Sequence, residues 1–185
     1  MNTDTEPPSV QSPSAGSRSI AVEISDTQAF VPCDRRALTQ IVRDVLAGEG
    51  VREASISVAL VDNATIRTIN RRHLNHDWPT DVISFRLSDE AEPELSGELV
   101  ISAEMAAATA GEANVEPFAE LALYLTHGLL HLCGYDDGTD GDAASMRRRE
   151  DEVLARLGLI NPFPLVGSAA DGTEIAAREN LRWPV

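Results

Sequence analysis

His127 and His131 stand four residues apart in the segment THGLLHLCGYDDGTD, and Gly134 and Asp137 follow at intervals of three. On a helix, a spacing of four puts both imidazoles on one face about one turn apart, within reach of a single ion. A glycine three residues later can take a left-handed conformation, end the helix and turn the chain back. Asp137, three residues beyond that turn, is then placed to close the site from the other side. Two imidazoles and a carboxylate suit zinc, and three protein ligands leave a fourth position open, as catalytic rather than structural sites do. The pattern therefore predicts one Zn2+ per chain, held by His127, His131 and Asp137. The neighbouring residues strengthen it: beside so apolar a helix as LALYLTHGLLHL, two unpartnered imidazoles would be costly to bury.

The spacing H-x3-H-x2-G-x2-D is that of the extended metzincin motif, HExxHxxGxxH, with aspartate in the place of the last histidine. One position departs in kind. The Glu of HExxH is the general base that activates water, and here that residue is Gly128, which has no side chain. An ordinary zinc-peptidase mechanism is unsupported. No residue stands out as general base; Asp136 adjoins the ligands and is a candidate either for catalysis or for orienting one of them.

The elements that must position these residues can be read from apolar spacing. A strand begins at Ile20 (IAVEI). A helix capped by Asp34 carries Leu38, Ile41, Val42 and Val45 on one face, with Gly48 and Gly50 stopping it. A strand follows over Ala54–Leu60, then a helix opened by Asp62 and Asn63 with Ile66 and Ile69 on one side. HLNHDWPTD reads as a loop. Val82, Ile83 and Phe85 form a short strand, and GELVIS forms another after an acidic loop. Three helices complete the chain: one around Glu104–Ala110, a longer one from about Glu116 to Cys133, and one over Ala143–Leu157 ending at Gly158. The order predicts a single α+β domain over residues 20–160, a mixed sheet of about four strands covered by helices. Residues 1–19, rich in Ser, Pro and Thr, read as a flexible tail, and residues 161–185 as a C-terminal tail.

Composition narrows the function classes. The formal net charge is −15, and every basic residue is arginine. That balance argues against a broad basic surface for nucleic acid, while a local arginine cluster remains compatible with RNA. No apolar run is long enough to span a bilayer, and the N-terminus lacks a secretory signal, so the expected location is the cytoplasm. Cys33 and Cys133, far apart and outside any CxxC pair, read as small apolar side chains. His73 and His76 lack a nearby third donor and are not assigned to metal. Arg147, Arg148 and Arg149 beside Glu150, Asp151 and Glu152 read as a self-compensated helix surface. Trp78, next to Pro79, reads as a packing anchor that could also stack on a base.

Several segments together resemble the YbeY family of endoribonucleases. HGLLHLCGYDD is similar to the family signature HGxLHLxGYDH, with Asp137 where the signature has its last His. PTDVISF (Pro79 to Phe85) resembles PTDVLSF, GELVIS (Gly97 to Ser102) resembles GDIVIS, and INRRHLNHDW keeps Asn70 and Asp77 of LNxxYRxxDx. Met146, Glu150, Leu154 and Gly158 fit the usual ending. The resemblance implies a zincin-like domain and a metal-dependent endoribonuclease acting in rRNA 3′-end maturation and ribosome quality control. Its partners would be rRNA and ribosomal particles, with neither DNA nor membrane. The family's Tyr-Arg pair is His73-Leu74 here, so Arg71 or Arg72 would serve in its place, Arg72 being also a catalytic candidate. Thr80, Asp81 and Ser84 would line the substrate groove with them. Two other functions stay open on the residues alone: a zinc hydrolase of another bond, and a non-catalytic ribosome-assembly factor with a structural zinc.

Overall fold

The computed structural model describes residues 18–89 and 91–159. The tails read at residues 1–19 and 161–185 lie outside these, apart from Arg18 and Ser19, and Ser19 already belongs to the first strand. The elements are β1 (Ser19–Asp26), α1 (Arg35–Gly48), β2 (Glu53–Val61), α2 (Asn63–Leu74), β3 (Val82–Arg86), β4 (Glu94–Ser102), α3 (Ala103–Ala113), α4 (Pro117–Leu132) and α5 (Asp140–Arg156). Their order is the predicted one, and the class is α+β.

The four strands form one mixed sheet in the order β1-β2-β4-β3. β1 pairs parallel with β2 and β2 parallel with β4, while β3 runs antiparallel to β4, with Val82 opposite Ile101. Alternation along the strands divides the apolar residues between two faces. Ile56, Val58 and Leu60 of β2 and Leu99 and Ile101 of β4 join the large core with α1, α3, α4 and α5. Val61, Ile83 and Val100 point the other way and pack under Ile66 and Ile69 of α2.

α1 forms as its spacing dictates. Asp34 accepts hydrogen bonds from the amides of Arg36 and Ala37, and Leu38, Ile41, Val42, Val45 and Leu46 are buried. Several boundaries differ from expectation. α2 runs on through His73 and Leu74, which had read as loop, until Asn75 closes it at φ 62°, a conformation asparagine tolerates. β4 starts at Glu94 rather than Gly97, because Leu95 is buried while Glu94 and Ser96 on either side of it face outward. α5 starts at Asp140 rather than Ala143, because the Thr139 hydroxyl accepts from the Asp142 amide and caps it.

Candidate metal centre

α4 is the helix on which the site is built. Pro117 opens it at a position where the missing N–H is no loss. Its residues from Glu120 to Thr126 are all buried, so it lies between the sheet and its neighbouring helices. Its close approach to the sheet explains Gly128. A Cβ there would lie 2.9 Å from Val82 Cγ2 and 3.0 Å from Leu99 Cδ2. The position held by the catalytic glutamate in HExxH enzymes thus faces β3 and β4 here, where no such side chain fits. Ser84, expected in the groove, lies behind the helix and donates its hydroxyl to the Gly128 carbonyl (3.2 Å).

The end of α4 turns as the spacing predicts. Gly134 sits at φ 95°; its amide bonds the His131 carbonyl (3.0 Å), and the Tyr135 amide bonds the Leu130 carbonyl (3.0 Å). This pair of bonds is a Schellman closure. The Asp136 carboxylate accepts from the amides of Asp137 (2.8 Å) and Gly138 (3.2 Å), shaping the turn that presents Asp137. The Tyr135 hydroxyl donates to Glu49 (3.2 Å) at the end of α1, and Arg149 of α5 pairs with the same carboxylate. The turn is therefore tied to two other helices.

His127, His131 and Asp137 come together as a group that could hold a metal ion, their ligand atoms all within 4.8 Å of one another. The two imidazoles meet edge to face, with Nε2 to Nε2 at 3.1 Å. Asp137 oxygens lie 3.9 Å from each of these nitrogens. A tetrahedral ion with Zn–N distances of 2.0–2.1 Å spaces its donors about 3.3 Å apart, so small side-chain movements close the set. The other ring nitrogens favour a cation there. His131 Nδ1 lies 3.1 Å from the Tyr135 carbonyl, which can only accept, so Nδ1 carries the proton. His127 Nδ1 lies 2.7 Å from a Glu150 oxygen and, against a carboxylate, does the same. With both Nδ1 atoms protonated, the two Nε2 atoms face each other, an arrangement that a proton or a metal between them would stabilise.

Burial pulls the His127 pKa down, but the hydrogen bond and charge of Glu150, joined by Asp81 and Asp137, outweigh it and hold the ring above its ordinary value. Burial, and then the charge of His127, lower that of His131.

Glu150 had read as part of a solvated helix surface. It is instead buried on α5, turned inward against His127, while Arg149 beside it bonds Glu49 and Glu152. The sequence signal available for it was its place three residues before Val153 and four after Met146, on the buried face of α5. Upstream on α4, Glu120 and Tyr124 are also buried, and with His127 and His131 they make one stripe at helical spacing. Tyr124 donates to the Thr109 hydroxyl (3.2 Å).

The groove candidates divide. Asp81 is buried; one oxygen accepts from Thr80 Oγ1 (2.9 Å) and the other has no hydrogen-bond partner among the described residues. Burial pushes the Asp81 pKa upward, against the charge of His127. Arg71 and Arg72 lie exposed on α2, Arg71 within 3.8 Å of Asp77, and neither joins the metal group. His73 rests edge-on against Phe85 (5.4 Å) and His76 stacks on Trp78 (4.6 Å), so among the described residues neither contributes to a metal group. Burial pushes the Cys133 thiol up to about 12, consistent with an unreactive side chain.

This geometry can be set beside known proteins. A family model described as Endoribonuclease YbeY matches residues 23–158. Endoribonuclease YbeY of Carboxydothermus hydrogenoformans is 41% identical over 140 residues, covering 74% of this chain and 97% of the relative. That of Rhodopirellula baltica is 39% identical over 143 residues, covering 75% and 73%. The solution structure of TM1509 from Thermotoga maritima is similar in fold, with a TM-score of 0.51 and 23% identity, over 74% of this chain and 90% of that one. No helix among the described residues is long and apolar enough to cross a membrane. With the family model spanning the sheet, the histidine helix and α5 alike, this chain belongs to the YbeY family of endoribonucleases.

Proposed function

We propose that this protein is a zinc-dependent endoribonuclease that cuts single-stranded RNA in rRNA 3′-end maturation and ribosome quality control, on ribosomal particles in the cytoplasm. The observation that carries the reading is the pair of Nε2 atoms 3.1 Å apart with Asp137 beside them, in a chain whose relatives are named endoribonucleases. Two imidazoles and one carboxylate support zinc over the harder magnesium or calcium, which take oxygen ligands.

Bound there, zinc supplies Lewis-acid polarisation of a phosphodiester and acidification of water. The chain's own residues make that possible. Glu150 and the Tyr135 carbonyl hold the two Nδ1 protons, which fixes the tautomers and turns both Nε2 atoms to the ion. Asp136 holds the turn and leaves Asp137 to ligate. Arg71 and Arg72 are phosphate contacts, and the Thr80 hydroxyl orients the buried Asp81 carboxyl. Ser84 supports α4 rather than touching substrate. Hydrolysis of an amide by the HExxH route loses support, because the Gly128 position points at the sheet.

The test is metal content by mass spectrometry together with cleavage of an end-labelled rRNA precursor. About one zinc per chain and discrete cleavage products are expected, and His131→Ala should lose both. A protein fully loaded with zinc that leaves single-stranded precursor uncut would sink the reading.

A further inference from the structure

The chain carries twice as many acidic as basic residues, yet residues 63–76 hold Arg67, Arg71, Arg72, His73 and His76 and no acid at all. This is α2 and the turn after it. At the end of that segment Trp78 is 38% exposed, and His76 lies parallel on it, ring centroids 4.6 Å apart and planes 14° from coplanar. The loop that displays the pair is tied down. Asn70, buried in α2, donates its amide to the Trp78 carbonyl (2.9 Å), and Arg67 grips Asp77 with two hydrogen bonds of 3.0 and 3.1 Å. A large indole is thus held at the surface by polar ties on both sides of it instead of being folded into the core.

We propose that the His76–Trp78 pair, with Arg71 and Arg72, is a stacking platform for the unpaired bases of single-stranded RNA. Cation-rich surfaces that carry an exposed aromatic ring suit single strands, since every base has a face to stack while arginines follow the phosphates. The charge pattern favours RNA over an acid-bearing protein surface of ordinary composition: among the helices described, α2 is the one with no acidic residue, in a chain otherwise dominated by acids. The platform is also close to the metal group. Trp78 precedes Val82 by four residues, at most about 14 Å of chain, and Val82 packs against Gly128, the neighbour of His127. A strand stacked at Trp78 is delivered beside the ligands. The inference rests on the endoribonuclease reading and adds to it how the enzyme selects unpaired substrate.

Trp183 is the second of two tryptophans, so in full-length Trp183→Phe protein the emission reports Trp78 alone. Titration with a single-stranded adenine oligoribonucleotide should quench that emission, and a blunt RNA duplex should not. Trp78→Ala should weaken binding measured by anisotropy roughly 5- to 100-fold, with most of it kept in Trp78→Phe. Arg71→Gln and Arg72→Gln should each lower the slope of log affinity against log salt by about 0.7. Quenching and tight binding without any cleavage would support the platform and count against the endoribonuclease reading. Conversely, a Trp78→Ala protein that binds and cuts single strands like its parent would overturn the platform and leave that reading standing. Unquenched emission, with equal binding by all variants, would overturn it in favour of Trp78 and the exposed Leu74 as a protein contact.

Discussion

The protein has two histidine pairs, and they have opposite fates. His127 and His131 sit on a helix that continues through both, so their rings share a face; each Nδ1 has an acceptor, and a carboxylate returns to meet the Nε2 atoms. His73 and His76 are spaced one position more closely, but Asn75 breaks the helix between them at φ 62°. Each ring then finds an aromatic neighbour, Phe85 or Trp78, rather than the other histidine. Spacing proposes a site; an unbroken helix, acceptors behind the rings and a third donor in front make one. The first pair belongs to a group that could hold an ion, whereas the second lies toward the surface.

The sharpest way to break this comparison is to remove one histidine from each pair. His127→Ala or His131→Ala should leave purified protein without stoichiometric zinc, while His73→Ala and His76→Ala keep it; equal metal content in all four would show that the site lies elsewhere. Next in size is Asp137. Asp137→Ala should lose much of the zinc affinity and Asp137→His should retain it, since both groups are competent donors after the same turn. Asp136→Ala, which loosens that turn without removing a ligand, should cost only about 10- to 100-fold. Zinc titration of the three decides between the two aspartates, and a larger loss at Asp136 than at Asp137 would reverse their assignment.

Glu150 sharpens the contrast from behind the rings. Glu150→Gln keeps an acceptor near His127 Nδ1 but removes the charge, and Glu150→Ala removes both, so affinity should fall in that order, by about 10- to 100-fold for Ala. An unchanged zinc affinity in Glu150→Ala would show that His127 needs no partner. The smallest effect expected is on stability. Gly128→Ala adds a methyl against Val82 and Leu99, and overpacking of about 1–3 kcal/mol should outweigh the helix propensity gained, about 1 kcal/mol. A thermal melt should then fall; a rise would mean that α4 can lift from the sheet without loss.

The parts of this molecule that are legible in its sequence are those encoded over short range. Element order followed from apolar spacing and turn residues; the Gly134 closure and the meeting of His127 with His131 followed from helical periodicity. Asp137 could be named because it lies only six positions after His131, and the turn between them constrains where it goes. What stayed hidden joins residues that no local pattern connects. Glu150 looked like surface because its immediate neighbours are charged, and only the packing of α5 on α4 brings it to His127 across 23 positions. Gly128 read as a missing base, and only the approach of α4 to β3 and β4 shows that the position has no room for one. The same holds for Arg149 and Glu49, which meet across 100 positions to brace the turn. Helix period and turn chemistry act between neighbours along the chain, so residue order alone determines them. Which side chain stands behind a ligand depends on where a distant element docks, and that is decided when the whole core packs.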